Sequence, residues 1–104
     1  MKPNLKYSRF AKKDLQQISD YLVDVLANRQ VVTKVISKII KLCAVLKNYP
    51  MLGLALEDKF GIKTDYRCII IGEYIAFNNI VDETIWVRRI FSSRRDYIKD
   101  LFLE

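Results

Sequence analysis

Most of the side chains in this chain that could do chemistry lie in one stretch, Trp86-Val87-Arg88-Arg89-Ile90-Phe91-Ser92-Ser93-Arg94-Arg95-Asp96-Tyr97. Its aromatic and β-branched start reads as a strand, with four arginines inside it or just past its end. A desolvated guanidinium needs a paired anion or a route to water. The cluster therefore points to a polyanion-facing edge or a docking surface for an acidic partner; the alternative is a solvated strand end. Strict strand alternation puts Arg89 with Val87 and Phe91, and Arg88 on the other face with Trp86 and Ile90, so these two are not expected to share a role. Arg94 and Arg95 follow the strand, where cations reach an anionic ligand without burial. Tyr97 is a general acid or base only if those cations lower its pKa from about 10; otherwise it is a packing aromatic.

Arg67 is the next candidate. In Asp65-Tyr66-Arg67-Cys68-Ile69 it alternates with Tyr66 and Cys68 and falls in step with Ile69 and Ile71. Guanidinium geometry suits a phosphate clamp, and the competing role is a pair with Asp65 or Glu73 at the sheet surface. Lys59 and Lys63 flank the preceding loop and extend a basic surface. The chain has no histidine, which removes the commonest acid–base group near neutral pH and the commonest zinc ligand. Cys43 and Cys68 sit among apolar neighbours without metal spacing and read as reduced core residues. Neither a metal nor a cofactor is expected.

The elements that must position these groups belong to one domain, residues 1–104. Hydrophobic content of 51% beside 29% charged residues supports a real core, and a net charge of +6 favours anionic partners. The N-terminus lacks an apolar leader and the greasiest segment is interrupted by lysines, so a cytoplasmic protein without membrane contact is expected. Leu5-Lys6-Tyr7 reads as a first strand, and Ser8 offers an N-cap oxygen. Ala11, Leu15, Ile18, Leu22 and Val25 form one helical stripe, with Lys12, Lys13, Asp14, Gln16 and Gln17 on the other side. Asn28 caps a second helix whose buried stripe is Val32, Val35, Ile36, Ile39, Cys43 and Leu46; Pro50 ends it. Met51–Leu56 is an apolar connector and Glu57–Gly61 a turn. Strands are expected over Tyr66–Ile71, Tyr74–Val81 and Ile85–Phe91, joined at Gly72-Glu73 and Asp82-Glu83-Thr84. A short closing helix is expected over Asp96–Phe102. The predicted fold is α+β, β-α-α-β-β-β, with an antiparallel helical hairpin on one face of a curved antiparallel sheet whose other face is partly open.

In order and spacing, Ala11-Lys12-Lys13-Asp14-Leu15, Tyr49-Pro50-Met51-Leu52-Gly53, Asp65-Tyr66-Arg67, Gly72-Glu73-Tyr74-Ile75-Ala76-Phe77 and the arginine-rich tail resemble the RelE/ParE superfamily of toxins from bacterial type II toxin–antitoxin modules. The resemblance spans nearly the whole chain. It implies the same architecture, a small acidic cognate antitoxin, and growth arrest when the toxin is free. RelE-like members cleave mRNA in the ribosomal A site, whereas ParE-like members inhibit DNA gyrase.

On the first branch the resemblance implies a metal-independent endoribonuclease. Arg67, Arg94 and Tyr97 would be its catalytic residues, and Lys63, Arg89 and Arg95 would hold the substrate. This ribosome-dependent mRNA cleavage is the leading expectation, and non-catalytic gyrase inhibition through the same arginines is the alternative. Two departures from the family bear on the choice. Asn78-Asn79 stands where many relatives carry Tyr-Arg, and Ser92-Ser93 where they carry His-Gly.

Overall fold

The computed structural model describes residues 3–93 and Leu101. The order is β1 (Asn4–Tyr7), α1 (Arg9–Leu26), α2 (Arg29–Ala44), a 3-10 turn at Val45–Lys47, β2 (Leu54–Ala55), α3 (Leu56–Phe60), β3 (Arg67–Ile71), β4 (Tyr74–Val81) and β5 (Thr84–Ser92). The strands form one sheet in the order β1-β5-β4-β3-β2. This is the expected α+β fold, with an addition at each edge. β1 joins β5 in parallel, from Asn4 opposite Thr84 to Tyr7 opposite Val87, so the sheet is antiparallel only from β5 to β2. The apolar connector supplies the two-residue β2, and the acidic turn after it is a short helix. The closing helix expected over Asp96–Phe102 lies outside the described residues, apart from Leu101.

Local chemistry accounts for the boundaries. The Ser8 hydroxyl accepts from the Ala11 N–H at 3.0 Å and starts α1. The Asn28 side chain accepts from the N–H groups of Gln30 and Val31 and starts α2. The β4–β5 joint has positive φ at both Asp82 (48°) and Glu83 (64°), the backbone of a two-residue hairpin matched to strand twist. Gly72 takes the positive φ (61°) in the β3–β4 joint.

The sheet has an apolar cluster on each face. Against the helices, Ala11, Ile39, Cys43 and Leu46 pack on Ile69, Ile71, Ala76, Ile85, Val87 and Ile90. On the opposite face Leu56, Cys68, Ile75, Phe77, Phe91 and Leu101 form a second cluster, edged by Phe60 and Tyr66. That face is therefore covered near α3 and Leu101. Both cysteines are free and buried.

Two expectations need correction. Asp14, expected on the wet side of α1, is only 4% exposed, because its carboxylate turns onto the edge of β5. Val25 was placed in the buried stripe and is 58% exposed, since the α1 residues packed on the cluster run only from Ala11 to Ile18.

Burial raises the Cys43 thiol from 9.0 to about 11, opposed by the neighbouring Tyr7 hydroxyl, and burial beside Cys43 raises the Tyr7 phenol too. A group that titrates higher in the fold than in the unfolded chain stabilises the fold below its unfolded pKa, and that stability disappears as pH rises through the folded value. Urea midpoints should therefore fall between about pH 9 and 11, and less steeply in Cys43→Ala.

Gly53 provides a second test. It has φ +90°, and a Cβ there would lie 2.2 Å from the Cys68 carbonyl oxygen. The connector thus crosses β3 at a distance only glycine allows. Gly53→Ala should cost about 2–4 kcal/mol in chemical denaturation, from left-handed strain plus forced separation of the two backbones.

Candidate functional site

β1 leaves the edge of β5 after Val87, and the start of α1 takes over its pairing. The Ser8 N–H donates to the Val87 carbonyl at 2.9 Å, and the Ser8 hydroxyl donates to the Arg88 carbonyl at 2.7 Å. One and a half helical turns further on, Asp14 Oδ2 accepts from the Ile90 N–H at 2.9 Å. The same carboxylate takes a two-pronged contact from Arg89, Nε to Oδ2 at 2.8 Å and a terminal nitrogen to Oδ1 at 3.0 Å. Side-chain exposure is 12% for Arg89 and 4% for Asp14, so the pair is largely out of water. The guanidinium also lies over Phe91, 4.5 Å from the ring centroid, and 5.7 Å from that of Phe10.

A β-bulge controls what the other strand arginine meets. β4 pairs with β5 at Phe77–Arg89 and then at Asn78–Val87, leaving Arg88 as the extra residue. Val87 and Ile90 consequently belong to the helix-side cluster and Phe91 to the opposite one. The alternation expected for Val87, Arg89 and Phe91 does not survive this shift, and neither does the separation of Arg88 and Arg89 based on it. Arg88 stands over Trp86 at 5.1 Å and donates from Nε to Asn79 Oδ1 at 2.7 Å. Asn79 in turn donates to Asp65 Oδ2 at 3.2 Å.

Arg67 is in step with Ile69 and Ile71, opposite Asn78 of β4. One terminal nitrogen donates to the carbonyls of Met51 at 2.7 Å and Gly53 at 3.0 Å, fastening the connector to β3. Among the described residues its buried Nε has no partner, and neither has either polar atom of the Asn78 carboxamide. A cleft of about 350 Å³ opens here, lined by Thr64, Asp65, Tyr66, Arg67, Asn78 and Asn79 among others.

Of the six residues singled out from the sequence, Arg67 and Arg89 are bound to opposite flanks of the sheet, one to the connector and one to α1. Lys63 is exposed in the loop before β3. Arg94, Arg95 and Tyr97 lie outside the described residues. Sequence reasoning missed Asp14 and the Asp65–Asn79–Arg88 chain. For Asp14 the signal was present, because three residues after Ala11 and four before Ile18 is the apolar face of α1. For the chain there was none, because Arg88 reaches Asn79 only through the bulge.

Tyr74 is the remaining perturbed group near a surface cleft. Its phenol is raised by burial first, then by Glu73 and Tyr21. The shifts resolved for Tyr7, Cys43, Cys68 and Tyr74 are all upward, towards the neutral form at physiological pH.

Removing the Asp14 carboxylate strands a buried cation and a strand N–H together. Asp14→Ala should lower unfolding free energy by about 3–5 kcal/mol. Asp14→Asn, which keeps an acceptor for Ile90, should lose less. Equilibrium denaturation of both variants measures the difference.

A family model described as the ParE toxin of the type II toxin–antitoxin system, parDE, matches residues 5–97. Among solved structures, a chain of the chromosomal ParDE toxin–antitoxin system from P. aeruginosa superposes with a TM-score of 0.73 at 22% identity. It covers 86% of this chain and 95% of its own. A chain of the RelBE2 toxin–antitoxin complex from Mycobacterium tuberculosis gives 0.57 at 10% identity, over 88% and 92% of the two chains. One from the E. coli DinJ–YafQ complex gives 0.56 at 16% identity, over 90% and 96%. At these identities the superpositions speak to fold. A search of curated proteins by sequence finds no match.

Proposed function

The chain belongs to the family of ParE toxins of type II toxin–antitoxin systems, and from that premise we propose that it arrests growth by binding DNA gyrase, without cutting RNA. The carrying observation is the use the fold makes of its strand arginines. Arg67 fastens two connector carbonyls and Arg89 is closed onto Asp14. A guanidinium committed to protein acceptors is not available to gather the charge that develops on a phosphate in a cleavage transition state. On this reading the arginine-rich tail, with Arg94, Arg95 and Tyr97, is a protein-docking segment, the work is done in the cytoplasm, and a cognate antitoxin holds the toxin inactive until it is released.

Ribosome-dependent mRNA cleavage is the second reading, favoured by the polar cleft around Arg67 and Asn78. There Arg67, Arg94 and Tyr97 would serve the chemistry, and Lys63, Arg89 and Arg95 would hold the RNA.

Purified toxin should inhibit gyrase supercoiling in proportion to the toxin-to-gyrase ratio, as a stoichiometric binder does. Primer extension on cellular mRNAs after induction should show no new 5′ ends. New ends together with unimpaired supercoiling would reject gyrase inhibition and leave cleavage.

A further inference from the structure

At the β1 edge of the sheet, Lys6 of β1 and Arg88 of β5 both stand over the indole of Trp86. Lys6 Nζ lies 5.8 Å from the ring centroid and Arg88 Cζ 5.1 Å. The cluster is built in place by pairing and hydrogen bonds. Lys6 sits opposite Trp86 in the parallel β1–β5 ladder, Trp86 sits opposite Asn79 in the β4–β5 ladder, and Asn79 fixes Arg88 while Asp65 fixes Asn79. Arg88 uses only Nε in this chain. Among the described residues its terminal nitrogens and the Lys6 ammonium have neither a hydrogen bond nor an ion pair. Two cations are thus held beside one aromatic ring, with no anion between them among the described residues.

We infer that this patch is a carboxylate-recognition site that docks an acidic segment of the cognate antitoxin. The chemistry favours a protein over a nucleic acid. An indole already engaged by two cations is not offered as a platform for base stacking, and two cations are few for tracking a phosphate backbone. Val81, 42% exposed, lies across from Thr84 and supplies an apolar border. A tryptophan and an arginine beside apolar rim residues make the composition of a protein–protein hot spot. A partner carboxylate placed between Lys6 and Arg88 relieves their mutual repulsion and finds an arginine whose stem is already ordered, so less freedom is lost on binding. The inference rests on the toxin–antitoxin family assignment and is independent of whether the free toxin acts on gyrase or on the ribosome.

The test uses the full-length toxin and the antitoxin encoded with it. Lys6 is exposed, and among the described residues its side chain makes no hydrogen bond, so Lys6→Glu leaves the Arg88–Asn79–Asp65 chain intact. Titration calorimetry should show antitoxin affinity weakened about tenfold in Lys6→Glu and further in Lys6→Glu with Arg88→Gln, with a flatter dependence on salt. Growth arrest by the free variants should persist. Trp86 is the only tryptophan, so its emission gives a readout that needs no substitution. Binding of a tryptophan-free antitoxin fragment should shift that emission and protect it from acrylamide quenching. Antitoxin affinity within about twofold of wild type in Lys6→Glu, or unaltered Trp86 quenching on binding, overturns the proposal. So does loss of growth arrest with antitoxin affinity unchanged, which would turn the patch towards the cellular target.

Discussion

A single carboxylate decides how the two layers of this protein meet. β5 is paired by β1 only as far as Val87, and beyond that point its outer edge would present bare backbone to a helix. Asp14 meets that edge from α1, accepting from Ile90 and closing on Arg89. Burying an ion pair is seldom favourable by itself, because desolvation offsets the attraction between the charges. Its value here is positional. An acceptor for a strand N–H and a counter-charge for a strand arginine arrive on the same side chain, so α1 can sit in only one axial register against the sheet. Ser8 sets the start of that register with two contacts of its own to β5.

The bulge at Phe77 and Asn78 is the second constraint, and it sets what each strand arginine meets. With Arg88 as the inserted residue, Ile90 stays with the helix-side cluster and Phe91 completes the aromatic pair with Phe77, whose ring centroids are 6.1 Å apart. Arg89 then turns to Asp14, while Arg88 stands beside Trp86. The bulge therefore links core packing to the distribution of charge that a partner meets.

Much of the fold was legible because the signals that carry it are local. Ser8 and Asn28 as caps, the helical stripes apart from Val25 and the two hairpin joints are read from neighbouring residues, and each appears in the structure. Pairing of β1 with β5 is different in kind, since it joins residues about eighty positions apart and has no local trace. β2 was hidden because two residues cannot show a period. Arg67 was legible by parity, falling with Ile69 and Ile71, but its partners were not. Nothing in Asp65-Tyr66-Arg67 shows that the connector, held close by Gly53, would bring two carbonyls within reach of the guanidinium. Asp14 was misplaced because its charge was weighed above its position. At the candidate site, then, residue types were readable and their commitments were not.

Asp14 and Arg89 act as one unit, and a double-mutant cycle tests their coupling most directly. Unfolding free energies of wild type, Asp14→Ala, Arg89→Ala and the double variant give the coupling. A coupling of about 2–3 kcal/mol is expected, with the double variant little worse than either single change, because removing both partners leaves no orphaned charge. Additivity within about 0.5 kcal/mol would contradict the account and return Arg89 to the arginines free to meet a ligand.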